Sequence, residues 1–143
     1  MVKRNFYSQY TPRILGILRI ITGFLFLQHG AAKLLEVPHI AMFDGLQLVS
    51  LMGLAGVLEL VGGVLILLGL FTRPTAFILS GQMAVAYFMA HAPGNFLPIL
   101  NQGELAVMYC FVFLYFSVAG AGAFSIDAMR KKTWFLIALQ ANF

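Results

Sequence analysis

Cysteine is almost missing: Cys110 is the only one among 143 residues, and it sits inside an apolar run. One thiol excludes a disulfide within the chain, a zinc cluster and a cysteine-held iron–sulfur centre. In those surroundings it reads as inert packing. Charge is also scarce. Only 10% of residues are Asp, Glu, Lys or Arg, against about a quarter in a soluble domain. A water-soluble globular domain is thereby excluded, and so is a disordered chain, which needs many charges and few apolar residues. The short alternating strands of a membrane barrel are missing. No strand precedes the glycines at 120 and 122, so they are not a nucleotide loop.

What the chain does have is apolar length. Hydrophobic residues make up 61% of it, and the mean hydropathy is +0.91. Turn signals divide this material into four runs, at about 13–35, 49–70, 74–92 and 103–122. Each holds about 18–23 residues, enough to cross a hydrocarbon core of about 30 Å as a helix. Backbone groups in lipid must be satisfied within their own segment, so the runs are predicted to be helical. Thr11-Pro12 predicts a helix start with Pro at the first helical position. Thr72-Arg73-Pro74 makes a short turn into the third run, which ends at His91-Ala92-Pro93-Gly94. Residues 123–143 are expected to form a cytoplasmic tail, whose apolar part from Thr133 to Phe143 is too short to span and lies in the interface. The expected fold is all-α: one integral-membrane four-helix bundle over 1–143, with neither a second domain nor an internal repeat. The first run is full-length and no small-residue cleavage site follows it, so no cleavable signal peptide is expected.

The sequence pI near 9.5 would suit a nucleic-acid binder, but the positions of the cations argue otherwise. Lys3, Arg4, Arg13, Arg73, Arg130, Lys131 and Lys132 flank the runs on one side. The two opposite connections, 36–48 and 93–102, contain neither Lys nor Arg. The excess of positive charge in cytoplasmic loops predicts that both termini are cytoplasmic. The partner is a bilayer, not a nucleic acid.

Ionisable residues inside spans are costly and usually face a bundle interior. At 100° per residue, Arg19, Thr22, Gly23, Phe26, His29, Gly30 and Lys33 share one face of the first helix. In the second run Glu59 lies among Ala55, Gly56, Gly62, Gly63 and Gly69, small residues that allow helices to approach closely. The expected role for Arg19 and Glu59 is a buried ion pair between the two helices, with a proton-handling Glu59 as the alternative. A second cluster is expected near the outer surface, from His29 and Lys33, Tyr87 and His91, and Glu104. Phe111 and Tyr115 would serve as its walls, since with Glu104 and Met108 they line one face of the fourth helix. Simpler roles compete for the same residues. Glu104 would cap its own helix through Asn101-Gln102-Gly103-Glu104, Lys33 would snorkel, and His91 would sit among headgroups. A haem on His29 and His91, or a zinc or copper ion held with Glu104, is a minor alternative without a companion signal. Ser125 is expected to cap a short helix with Asp127 in its first turn.

Several segments resemble the bacterial DoxX family. They are Arg19, His29-Gly30-Ala31-Ala32-Lys33, Glu59-Leu60-Val61-Gly62-Gly63 and Gly69-Leu70-Phe71-Thr72-Arg73. Gln102-Gly103-Glu104-Leu105-Ala106 with Tyr109, and Gly120-Ala121-Gly122 with Ser125-Ile126-Asp127, continue the likeness in order from about Arg13 to Asp127. The resemblance implies a four-helix inner-membrane protein and a small subunit linked to quinone-dependent or oxidative-stress redox complexes. It makes no residue catalytic by itself.

Together these readings lead to a small redox-associated membrane subunit. A quinone headgroup would be bound by His29 or His91, with Glu104 or Glu59 relaying a proton. Arg19, Lys33, Tyr87, Phe111 and Tyr115 would bind the ligand, and no residue is assigned to a metal. A partner redox protein would supply the electron carrier, or the chain would assemble with copies of itself. The rival readings are a structural anchor whose charges only specify helix pairing, and a small transporter.

Overall fold

The computed structural model describes residues 6–140, with side chains over 7–133. Lys3, Arg4 and residues 141–143 lie outside that range, as do the side chains on which an interfacial tail would depend. All regular structure in the described residues is helical. Helix α1 spans Phe6–Leu35, α2 Leu51–Leu68 and α3 Thr72–Ala86, the last continuing as a π-helical turn over Tyr87–His91. The short α4 covers Pro98–Asn101, α5 Glu104–Ala119 and α6 Ile126–Gln140.

Helix α1 begins earlier than its sequence signal. Pro12 lies inside it rather than at its first position, and the Thr11 hydroxyl donates back to the Tyr7 carbonyl at 2.7 Å instead of capping. Proline in a helix interior forgoes one backbone bond, but the Pro12 carbonyl gains one by accepting from Ala123 N at 2.7 Å. This contact ties the start of α1 to the segment after α5. Among the described residues two helices, Tyr7–Leu35 and Leu51–Leu68, are long and apolar enough to cross a membrane, and Glu104–Ala119 is a shorter apolar helix.

Glycine positions set the helix registers. A Cβ on Gly23 would meet Leu67 N at 2.6 Å, one on Gly63 would meet Leu27 Cα at 2.8 Å, and Gly30 packs directly on the Leu60 backbone. Helices α1 and α2 are therefore antiparallel and nearly in backbone contact along a seven-residue repeat, Gly16, Gly23 and Gly30, whose first member faces Ala123. Between α2 and α3, Leu79 fills the space above Gly62. Helices α3 and α5 are antiparallel as well: Gly103 faces the Tyr87 ring, and the Ser80 hydroxyl donates to the Cys110 carbonyl at 2.9 Å. Phe26, Ile66, Leu79, Met83, Phe113 and Phe116 fill the shared core, with Phe26 edge-on to Phe113 at 4.8 Å.

The outer faces are apolar too. Ile14, Ile17, Ile21 and Phe24 on α1 are all more than half exposed, as are Met108, Phe111 and Val118 on α5. Water would not tolerate so continuous an apolar exterior, whereas lipid does.

Candidate functional site

Two charged centres lie in the interior, and they are not joined. Arg19 is fully buried (0% exposed), and its guanidinium is committed entirely to backbone carbonyls. Nε donates to Ala121 at 2.8 Å, Nη1 to Ile66 and Leu67 at 2.6 Å each, and Nη2 to Phe124 at 2.7 Å and Ala123 at 3.4 Å. The last carbonyls of a helix have no partner within it and carry the negative end of its dipole. Arg19 supplies that partner to Leu67, adds a second donor to Ile66 beside Gly69 N, and binds the loop after α5 with its remaining donors.

Glu59 takes a different cation. Lys33 Nζ lies 2.6 and 2.7 Å from its two carboxylate oxygens, and their side chains are 10% and 5% exposed. The expected Arg19–Glu59 pair is therefore corrected to Lys33–Glu59. The α1–α2 register is the cause: with Gly30 against Leu60, Glu59 sits level with the last turns of α1. Arg19 faces the far end of α2, at Ile66 and Leu67, about 11–12 Å along the axis from Glu59 at 1.5 Å per residue. Gly56 makes room for this pairing, since a Cβ there would press on Lys33 Cβ at 3.2 Å. Lys33 does not snorkel into the interface, and its ammonium lies 5.6 Å from the Phe43 ring centroid.

Helix α3 contributes Gln82, which sequence reasoning missed. Its amide nitrogen donates to Glu59 Oε1 and to the Ala55 carbonyl, both at 3.3 Å. Its oxygen Oε1 is buried without a hydrogen-bond partner. The available signal was a lone amide in the third apolar run. Tyr109 on α5 flanks this region, packed edge-on against Phe26 at 5.1 Å and His29 at 6.3 Å. His29 itself is exposed.

The other expected members have other partners. No hydrogen bond, ion pair or ring contact among the described residues joins His91 or Glu104 to His29 or Lys33. His91 Nδ1 lies 3.0 Å from the Asn101 carbonyl, and its ring stacks on Tyr87 at 6.4 Å. Tyr87 is buried and donates to the Phe96 carbonyl. Asn101 Oδ1 accepts from Gly103 N at 2.7 Å. The Glu104 side chain is exposed and does not cap its helix, whose cap residue is Gly103. Phe111 and Tyr115 are 64% and 53% exposed and face outward, and Tyr115 borders a groove with Tyr7 and Leu18 at the start of α1. These two rings are not walls of a slot around His29.

At the opposite end Ser125 Oγ accepts from Ala128 N at 3.2 Å and caps α6. Asp127 reaches across to α3, accepting from Phe71 N at 3.0 Å and Thr72 N at 2.9 Å.

An all-helical chain with an apolar exterior and buried charges belongs to the class of helical membrane proteins. Known sequences narrow that class. The DoxX family model matches residues 14–92, more than half of the chain. A protein of Haemophilus influenzae described as uncharacterized is 48% identical over 128 residues, covering 86% of this chain and 95% of its own length. Inner membrane protein YqjF of Escherichia coli is 32% identical over 130 residues, covering 82% and 92%. No solved structure matches. The chain belongs to the DoxX family.

Proposed function

We propose that this chain is a multi-pass inner-membrane subunit of a quinone-linked or oxidative-stress redox complex, with a quinone-like headgroup bound at the Lys33–Glu59–Gln82 centre. Its four crossings would be α1, α2, α3 with its π-helical turn, and α5, with both termini cytoplasmic. The inner membrane is supported by the E. coli relative's name, and the orientation by the one-sided cations. The observation that carries the binding site is Gln82 Oε1, a buried acceptor without a donor beside a buried carboxylate. The hydroxyl of the reduced, quinol form would supply the donor that Gln82 Oε1 lacks. Lys33 pairs with Glu59, His29 presents an imidazole at the exposed edge, and Tyr109 offers an aromatic face. Electrons would come from a partner protein.

The structural-anchor reading is favoured by a different observation: Lys33 meets both carboxylate oxygens and Phe43 lies over its ammonium, so the pair is well satisfied. Quinone extracted from protein purified out of native membranes separates the two readings. His29→Ala and Gln82→Leu should each fold normally and lose bound quinone. Wild-type quinone content in both folded variants would leave only the anchor. For the orientation, Lys131 should resist an impermeant amine reagent in intact cells, while Asp44→Cys should react with an impermeant thiol reagent. The reverse pattern would invert the topology.

A further inference from the structure

A cavity of about 460 Å³ opens between the first turn of α3, the loop after α5 and the start of α6. Arg73, Arg130 and Lys131 line it, and the one acid there, Asp127, has both oxygens committed to Phe71 N and Thr72 N. No carboxylate forms an ion pair with these three cations among the described residues. Arg130 lies over the Phe71 ring at 5.1 Å. The Arg73 guanidinium lies against Gly120, whose φ of +86° brings bare backbone to it; a Cβ there would stand 3.3 Å from Nε. Thr72, which also lines the cavity, is 0% exposed, and its Oγ1 has no hydrogen-bond partner. A buried hydroxyl left unpaired weakens a fold unless something bound there accepts its hydrogen.

The missing partner should therefore be an anion with several acceptor oxygens, because guanidinium forks and a hydroxyl together suit a phosphate. Phe77, one turn along α3 on the face of Arg73, is 67% exposed. A phosphate in the cavity thus has an apolar track beside it for acyl chains. We propose that this cavity binds the phosphodiester headgroup of an anionic phospholipid, through Arg73, Arg130 and the Thr72 hydroxyl. Three cations against one committed carboxylate favour a net-negative headgroup over a zwitterionic one.

Native mass spectrometry of the full chain from detergent micelles doped with phosphatidylglycerol or phosphatidylcholine tests this, with inorganic phosphate as a third arm. The wild type should retain phosphatidylglycerol in preference to phosphatidylcholine. The double variant Arg73→Gln/Arg130→Gln should weaken that retention about thirtyfold. Lys132→Gln, which removes a charge at the same end but outside the cavity, should leave it unchanged. Thr72→Val should lower retention several-fold while its melting temperature in lipid-free detergent stays equal or rises, since the hydroxyl has no other partner. Should the double variant not fold, the Thr72→Val result and the wild-type lipid preference decide. Equal retention of both lipids, or undiminished retention by Thr72→Val, would overturn the proposal. So would stabilisation by inorganic phosphate without any phosphatidylglycerol preference, which would make the ligand a soluble phosphate.

Discussion

Arg19 and Lys33 sit on the same face of α1, about 21 Å apart along its axis at 1.5 Å per residue, yet their surroundings differ in kind. All three guanidinium nitrogens of Arg19 donate to main-chain carbonyls, and nothing polar around it is left over. Lys33 meets a carboxylate, and the carboxylate's other neighbour brings an acceptor that nothing satisfies. The first arrangement is closed. It gains nothing from a ligand and loses much if disturbed. The second keeps one open valence, and open valences are where chemistry or binding enters. The rarity of a charge in a span therefore marks burial, and only its partners indicate a role.

The largest effect should come from breaking the closed centre. Arg19→Met takes the guanidinium donor from five carbonyls, of which Ile66 keeps a bond from Gly69 N. Each buried carbonyl left unsatisfied costs about 1–3 kcal/mol, so thermal unfolding in detergent should drop steeply or folded protein should fail to accumulate. Arg19→Lys keeps the charge but replaces the planar fork with three donors at a point, and should recover only a minor part of the loss. Wild-type stability in Arg19→Lys would mean that charge alone matters there and would erase the contrast between the centres.

The next effect sharpens the contrast by coupling. Glu59→Gln and Lys33→Met should each destabilise, by about 3 kcal/mol where the remaining partner stays buried and unpaired. Their combination should be milder than the two added, with an interaction of about 0.5–3 kcal/mol. Glu59→Gln combined with Arg19→Met should be additive, because no contact links those residues. Coupling between Arg19 and Glu59 would show that the two centres act as one.

That second cycle also locates where the sequence stopped being legible. Helix positions, the buried face of α1 and the small-residue seam of α2 follow from apolar runs and 100° steps, and Gly23, Gly30 and Gly63 pack accordingly. Register does not follow from such steps. Which residue of α2 faces Lys33 depends on the length and path of 36–50, and this connection sets Glu59 opposite the last turns of α1. The partners of Arg19 were invisible for another reason. They are main-chain carbonyls, and every sequence has those at every position. Lys33 was misleading because a lysine at a helix end usually extends to water. His91 and Glu104 share a membrane depth with His29 by residue counting, but depth is one coordinate of three, and loop contacts to Asn101 and Tyr87 set the other two for His91.

The smallest expected effect on stability is the most informative. Gln82→Leu removes two long hydrogen bonds, at 3.3 Å each, and with them a buried acceptor that has no donor. The loss of weak bonds from a carboxylate that Lys33 already satisfies is opposed by relief of an unpaired polar atom and by added apolar contact. The net change in unfolding free energy should lie within about 0.5 kcal/mol of zero, read from melting temperature in detergent. If Gln82 exists only to brace Glu59, the variant should instead unfold measurably more easily, and its double cycle with Glu59→Gln should show strong coupling. If Gln82 exists to receive a ligand's hydroxyl, stability stays level while bound quinone falls. Glu59 then remains paired with Lys33 in the folded variant, so the loss of ligand can be assigned to the open acceptor itself.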